Sequence, residues 1–161
     1  MATLSDLRLL GDPRLYEVCE PVIEEELPLV EGWVSDLHDV MEEIKAKYQF
    51  GRGIAAPQLG IMKRLIYLNT DQPRVIINPV LSDQSEELIE LWDDCMSFPH
   101  LLVRVRRHQS LTVSYLDEHW QPCSWQVEND LSELIQHEVD HLDGILCTMR
   151  AIDERSFQWR Q

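Results

Sequence analysis

Ile135-Gln136-His137-Glu138-Val139-Asp140-His141-Leu142-Asp143-Gly144, close to the C-terminal end, is the stretch on which the reading of this chain turns. It contains H-E-x-x-H. Residues four apart on a helix lie on one face, one turn above the other. Their rise is about 6 Å, so two imidazoles can converge on one metal ion. Glu138 follows the first histidine directly, and its carboxylate falls beside the ion where a water would bind. A metal-activated hydrolase with a general base needs that arrangement. Two surface histidines on an acidic helix would read the same over five residues, so the rest of the chain has to decide.

Outward from this motif, Leu131, Leu134, Ile135 and Leu142 form an apolar stripe, Asp130 with Glu133 three residues on reads as a capping box, and Gly144 as a stop. Upstream, Val103 to Arg106, Leu111 to Tyr115 and Trp120 to Trp125 alternate as antiparallel strands with one face buried, turning at Asp117 to His119. Arg64 to Leu68 and Arg74 to Ile77 are strands joined by Asp71-Gln72-Pro73, and Leu88 to Trp92 is a shorter extended piece. Further back, Glu24 to Glu26 and Pro28 suit a helix start, with Val30, Trp33, Val34, Leu37, Val40, Met41 and Ile44 at helical spacing. Leu7 to Leu10 is a short extended piece that ends in a turn at Gly11-Asp12-Pro13. Helix, many strands, helix predicts an α+β fold. Antiparallel strands pack around a central H-E-x-x-H helix, with one further amphipathic helix near the N-terminus. Residues 1–161 form one domain.

The composition, 44% hydrophobic and 27% charged, is that of a soluble globular protein. No apolar run reaches membrane-span length and no signal-peptide pattern opens the chain, so a cytoplasmic place and no membrane partner are expected. A net charge of −15 repels nucleic-acid phosphates, and no direct nucleic-acid binding is expected. Cys19, Cys95, Cys123 and Cys147 are widely spaced without a C-x-x-C pair, which fits free thiols or a metal ligand rather than a disulfide framework.

Two more stretches bear on chemistry. Gly51-Arg52-Gly53-Ile54-Ala55-Ala56-Pro57-Gln58-Leu59-Gly60 places small residues in a row, which implies close backbone approach to a strand or a ligand. Gln58 could satisfy backbone groups there, or point its amide into a site. In Asp93-Asp94-Cys95-Met96-Ser97-Phe98-Pro99, the cysteine is either a small buried hydrophobe or a thiolate ligand. A catalytic zinc-type site takes three protein ligands and leaves a position for water, so the helix must be joined by a third.

In this order and spacing, G-x-G-I-A-A-P-Q, D-D-C-M-S and Q-H-E-V-D-H-L-D-G resemble the three motifs of the peptide deformylase family, and the likeness covers nearly the whole chain. Gly11 to Leu15 with Pro21-Val22 is similar to that family's N-terminal stretch. The resemblance implies that Cys95, His137 and His141 bind the metal, and that Glu138 is general base and then acid. It implies that Gln58 and the backbone N–H of Met96 stabilise the oxyanion. It implies one divalent ion per chain, characteristically Fe²⁺, with Zn²⁺, Ni²⁺ or Co²⁺ able to replace it. The reaction would remove the formyl group from N-formylated peptides, formyl-methionine of nascent chains in particular, and release formate. Gly51, Arg52, Gly53, Asp93, Asp94 and Glu133 fall where the family binds substrate.

The chain departs from the pattern in that region. Asp94 stands where the family has Gly, Asp93 where Glu is usual and Met96 where Leu is. Arg52 and Glu133 stand where aliphatic residues line the methionine pocket. Turned inward, an Arg–Glu pair would disfavour methionine; turned outward, both would be solvated. Many bacterial members carry a long C-terminal helix, in some a basic one that docks on the ribosome. The short tail Ile152 to Gln161 and the acidic charge argue against ribosome docking here. Two rivals follow. One is an H-E-x-x-H metallopeptidase with Cys147 as third ligand, although Cys147 reads better as a buried thiol in a strand after the helix. The other is a divergent deformylase-like protein that acts on a non-methionine formylated amine, or only binds.

Overall fold

The computed structural model describes residues 1–161. Helix α1, Leu27–Tyr48, follows a turn of three glutamates and has Pro28 in its first turn. Val30, Leu37, Val40, Met41 and Ile44 are its buried stripe. The strands that follow are β1 (Gly53–Ala55), β2 (Leu65–Asn69), β3 (Pro73–Ser82), β4 (Leu88–Asp93), β5 (Leu101–His108), β6 (Ser110–Leu116) and β7 (Pro122–Glu128). Helix α2, Asn129–Leu142, and the short strand β8, Phe157–Trp159, complete the order. No helix is long and apolar enough to cross a membrane.

The strands form two antiparallel sheets, β1-β2-β3-β6-β7 and β4-β5-β8. The larger sheet has α1 on one side and α2 on the other, which explains the unbroken apolar run Leu65 to Leu68. Leu65 and Tyr67 pack with Val40 and Met41 of α1, while Ile66 and Leu68 pack with Ile135 and Leu142 of α2. A strand buried on both faces reads as continuous rather than alternating. The chain crosses from the small sheet to the large one at Gln109, and α2 fastens that seam. The His108 N–H donates to Gln136 Oε1 at 3.0 Å, and its carbonyl accepts from Ser132 Oγ at 2.7 Å and Gln136 Nε2 at 2.9 Å. Every residue of α2 from Ser132 to Leu142 is buried. A helix so enclosed can carry polar residues only where each finds a partner, and this one carries the H-E-x-x-H motif.

The helix ends correct two expectations. Asp130 does not cap α2. Strand β7 runs straight into the helix through Asn129, whose positive φ of 56° turns the chain. The N-cap is Glu128 without a side-chain bond, and Asp130 reaches Arg52 instead, at 3.1 Å. Cys147 lies not in a strand but in a single 3₁₀ turn, Cys147–Arg150, because the Ile145 N–H returns to the Asp140 carbonyl and folds the chain back under α2. Gly144 does end the helix, at φ +72°, where a Cβ would stand 2.6 Å from the Tyr16 carbonyl. Arg64 Nη1 and the Cys19 N–H, at 3.0 and 2.9 Å, satisfy the Leu142 carbonyl that the helix leaves free.

Candidate active site

Three segments meet at one point. Helix α2 brings His137, Glu138 and His141. The turn after β4 brings Cys95, and the 3₁₀ turn after β1 brings Gln58. Backbone bonds hold both turns to the N-terminal stretch, from the Arg8 N–H to the Gln58 carbonyl at 2.7 Å and from the Leu10 N–H to the Ser97 carbonyl at 3.0 Å. All five side chains are buried.

The ligand atoms of Cys95, His137 and His141 lie within 4.8 Å of one another. Cys95 Sγ is 3.4 Å from His141 Nε2. Bonds of about 2.3 Å to sulfur and about 2.0–2.1 Å to nitrogen place two such atoms about 3.5 Å apart on a tetrahedron, so this edge fits a metal ion without rearrangement. Beside it, Glu138 Oε1 is buried with no hydrogen-bond partner in the protein. An orphaned carboxylate oxygen next to an S–N–N triad is what a fourth-vertex water would satisfy. Cys147 lies near Asp93 and His137, and the triad of Asp93, His137 and Cys147 omits His141. Burial, offset in part by His137, pushes its thiol up to about 12. Cys95, not Cys147, completes the set with both rings.

Asp93 lies behind His137, with His137 Nδ1 at 2.9 and 3.0 Å from its two oxygens. This fixes Nδ1 as a protonated nitrogen and leaves Nε2 as the atom that could face an ion. Arg107 bridges Asp93, at 2.9 Å, and Asp140, at 2.6 Å. Burial alone would raise the Asp93 carboxyl, but His137 and then Arg107 hold it well below the usual carboxylate range. Burial depresses His137, yet the Asp93 charge carries it well above its ordinary value; His141, buried and beside His137, falls well below. Glu138 is pushed up to about 7, chiefly by burial and further by Asp93, against the pull of His137. A general base needs a value of this order near neutral pH.

Gln58 can be oriented from its partners. Oε1 accepts the Ala55 N–H at 2.9 Å, so the amide NH₂ faces the site, 3.6 Å from Cys95 Sγ and 3.1 Å from Ser97 Oγ. Met96 is buried, and its N–H makes no hydrogen bond within the protein. Two donors therefore sit beside the cysteine. Gly53 lies against Glu138: a Cβ there would be 2.6 Å from Leu68 Cδ2 and 3.0 Å from Glu138 Oε2.

A cavity of about 360 Å³ opens onto the triad, and Gly51, Arg52, Gly53, Asp93, Asp94 and Glu133 all line it. Arg52 and Glu133 are turned towards each other, with Nη2 3.3 Å from Glu133 Oε2, and Glu133 is pushed up to about 9 by burial and by Asp93 beside it. Asp94 is held by Arg160 at 2.7 Å, and the Arg160 guanidinium lies 4.1 Å over the Phe50 ring. In the sequence Asp93 reads only as part of the substrate wall and Leu134 only as part of the helix stripe, and neither Arg107 nor Arg160 stands out as a site residue. Arg107 had a signal: it follows Val103 and Val105 in the inward phase of β5, where a charge needs a buried partner. Arg160 had none, since only folding brings the tail to Asp94.

Comparison with known proteins agrees with this geometry. The family model described as Polypeptide deformylase matches residues 5–157. The peptide deformylase of Treponema pallidum (strain Nichols) is 38% identical over 151 residues, covering 93% of this chain and 89% of that protein. That of Parafrankia sp. is 39% identical over 146 residues, covering 89% and 76%. Among solved structures, a peptide deformylase from Synechococcus elongatus in complex with actinonin superposes with a TM-score of 0.84 at 32% identity, covering 92% of this chain and 79% of that one. An actinonin-bound class I type b peptide deformylase from Acinetobacter baumannii does so with a TM-score of 0.84 at 30% identity, covering 93% and 99%.

Proposed function

This chain belongs to the polypeptide deformylase family, and from that premise we propose that it hydrolyses the N-formyl amide of formylated peptides at the Cys95, His137 and His141 centre, releasing formate and a free amine. The observation that carries the reading is the unpartnered Glu138 oxygen beside three ligand atoms within 4.8 Å of one another. Bound there, a divalent ion supplies Lewis acidity that makes a water acidic near neutral pH and polarises the formyl oxygen. Glu138 takes the proton of the attacking water and delivers it to the leaving nitrogen, so one carboxylate serves both half-steps. The Gln58 amide and the Met96 N–H donate to the formyl oxygen as negative charge gathers on it; each such donor is worth about 3–4 kcal/mol. Asp93 and Arg107 keep His137 in the tautomer that leaves Nε2 free.

The S–N–N donor set suits several ions, and the family resemblance favours Fe²⁺ as the native one. Metal analysis of protein purified without oxygen tests that assignment. The reaction itself is tested by formate release from N-formyl peptides with the Fe²⁺-loaded protein. Glu138→Ala should keep its metal and lose nearly all turnover, and normal turnover by this variant would overturn the role of Glu138.

A further inference from the structure

The cavity has a reacting end and a recognising end. Glu138, Cys95, His137 and Gln58 form the first. From there the cavity runs to a wall one turn back along α2, within reach of the substrate residue that would adjoin the formyl carbon. Glu133 and Leu134 stand on that turn, and Arg52 faces them from the segment before β1. Arg52 Nη1 is 3.1 Å from Asp130 and Nη2 is 3.3 Å from Glu133. The Glu133 side chain is only 8% exposed and lies in the wall, while Arg52, 41% exposed, stands at the mouth of the cavity with one edge open to solvent.

Such a wall presents guanidinium N–H donors beside carboxyl oxygens, with Leu134 as its apolar part. A guanidinium has five N–H groups, and the bonds to Asp130 and Glu133 leave some of them free. A thioether offers only a weak acceptor, and seating it here would strip water from these groups without replacing the lost hydrogen bonds. A carboxylate would compete with Asp130 and Glu133 for the same cation. An ammonium would lie against Arg52. A carboxamide meets both halves of the wall: its carbonyl accepts from Arg52 and its NH₂ donates to a carboxyl oxygen. We propose that this site selects N-formyl peptides whose first side chain ends in a carboxamide over N-formylmethionyl peptides, with Arg52 and Glu133 as the specificity-determining residues. The inference rests on the deformylase reading of the same site.

The test compares kcat/KM for formate release from formyl-Gln-Ala-Ser, formyl-Met-Ala-Ser, formyl-Lys-Ala-Ser and formyl-Glu-Ala-Ser by the Fe²⁺-loaded protein. Expected is a preference for the glutamine peptide over the methionine peptide of about tenfold or more, the scale set by leaving buried polar groups unpaired. In the double variant Arg52→Leu/Glu133→Ile the order of these two should reverse. Methionine equal to or above glutamine in the wild type would overturn the proposal and leave the deformylase activity standing, because formate is still released. The lysine or glutamate peptide in first place would overturn the carboxamide class. No formate from any of the four would overturn the deformylase reading, and this inference with it. The wild-type ranking decides the matter should the double variant not fold.

Discussion

Glu138 is a carboxyl that the fold holds at a cost, and the cost depends on pH. Its value in the folded chain is about 7 against an ordinary 4.5, chiefly through burial. The folded state therefore binds the proton more tightly than the unfolded one. The associated stability is full below the ordinary value and is lost as pH rises through the folded value. Removing the ionisable group abolishes that loss. Metal-free Glu138→Gln should match the wild type in stability near pH 4 and exceed it at pH 8 by up to about 3 kcal/mol, with a correspondingly higher Tm. Thermal unfolding of both apo-proteins at the two pH values checks this, and identical melting at pH 8 would count against the burial argument. Gln58 is a second residue whose position decides its role. Its amide NH₂ is fixed towards Cys95 because Oε1 is occupied by the Ala55 N–H at 2.9 Å. Gln58→Ala should lower kcat by about 10²–10³ with KM nearly unchanged. Steady-state kinetics that show a KM effect alone would remove Gln58 from the transition state.

At the scale of elements, β1 and α2 approach so closely that no side chain fits between them at Gly53. A Cβ there meets Leu68 Cδ2 at 2.6 Å, Glu138 Oε2 at 3.0 Å and Leu134 Cδ1 at 3.2 Å. Gly53→Ala should destabilise by about 1–3 kcal/mol through overpacking. Because one of the displaced atoms belongs to Glu138, the proposed base, turnover should fall by more than the loss of folded protein accounts for. Denaturant unfolding and kinetics on the same preparation separate the two effects. Strand β8 makes a second junction. It pairs with β5, and the residue after it, Arg160, reaches Asp94 at 2.7 Å and the Pro99 carbonyl at 3.0 Å. Both side chains of the ion pair are partly exposed, so the pair itself adds little stability. Arg160→Ala should leave Tm almost unchanged and raise KM severalfold, because Asp94 and Phe50 at the cavity wall lose the group that orders them. A parallel fall in Tm would show that the tail is a structural strap instead.

At the scale of the whole molecule, an ion at Cys95, His137 and His141 would link α2 to the turn after β4, and so to the small sheet. Binding to the folded state alone stabilises by RT ln(1 + [L]/Kd), about 4 kcal/mol at a thousandfold excess over Kd. For a chain of this size that is a rise in Tm of about 10 °C. Adding Fe²⁺ or Zn²⁺ to chelator-treated protein should produce the rise, and Cys95→Ser should abolish most of it. Cys147→Ser, which alters a thiol outside the set with both rings, should keep it. An undiminished rise in Cys95→Ser would place the ion elsewhere.

The sequence by itself determined what repeats over short range. The spacing of His137, Glu138 and His141 makes one helix face, the alternation through Val103, Val105 and Arg107 makes one strand face, and the unbroken run Leu65 to Leu68 marks a strand buried on both sides. Periodicity could not bring a sulfur 46 positions from His141 to the two rings; the tertiary structure does so with Cys95, the one the family resemblance implies. It also decided that Arg52 and Glu133, 81 apart, turn towards each other, and that Arg160 closes on Asp94 across 66 residues. The reason is physical: periodicity is set by backbone geometry that each residue carries with it, whereas a partner far along the chain is fixed only once packing has closed the loop between them.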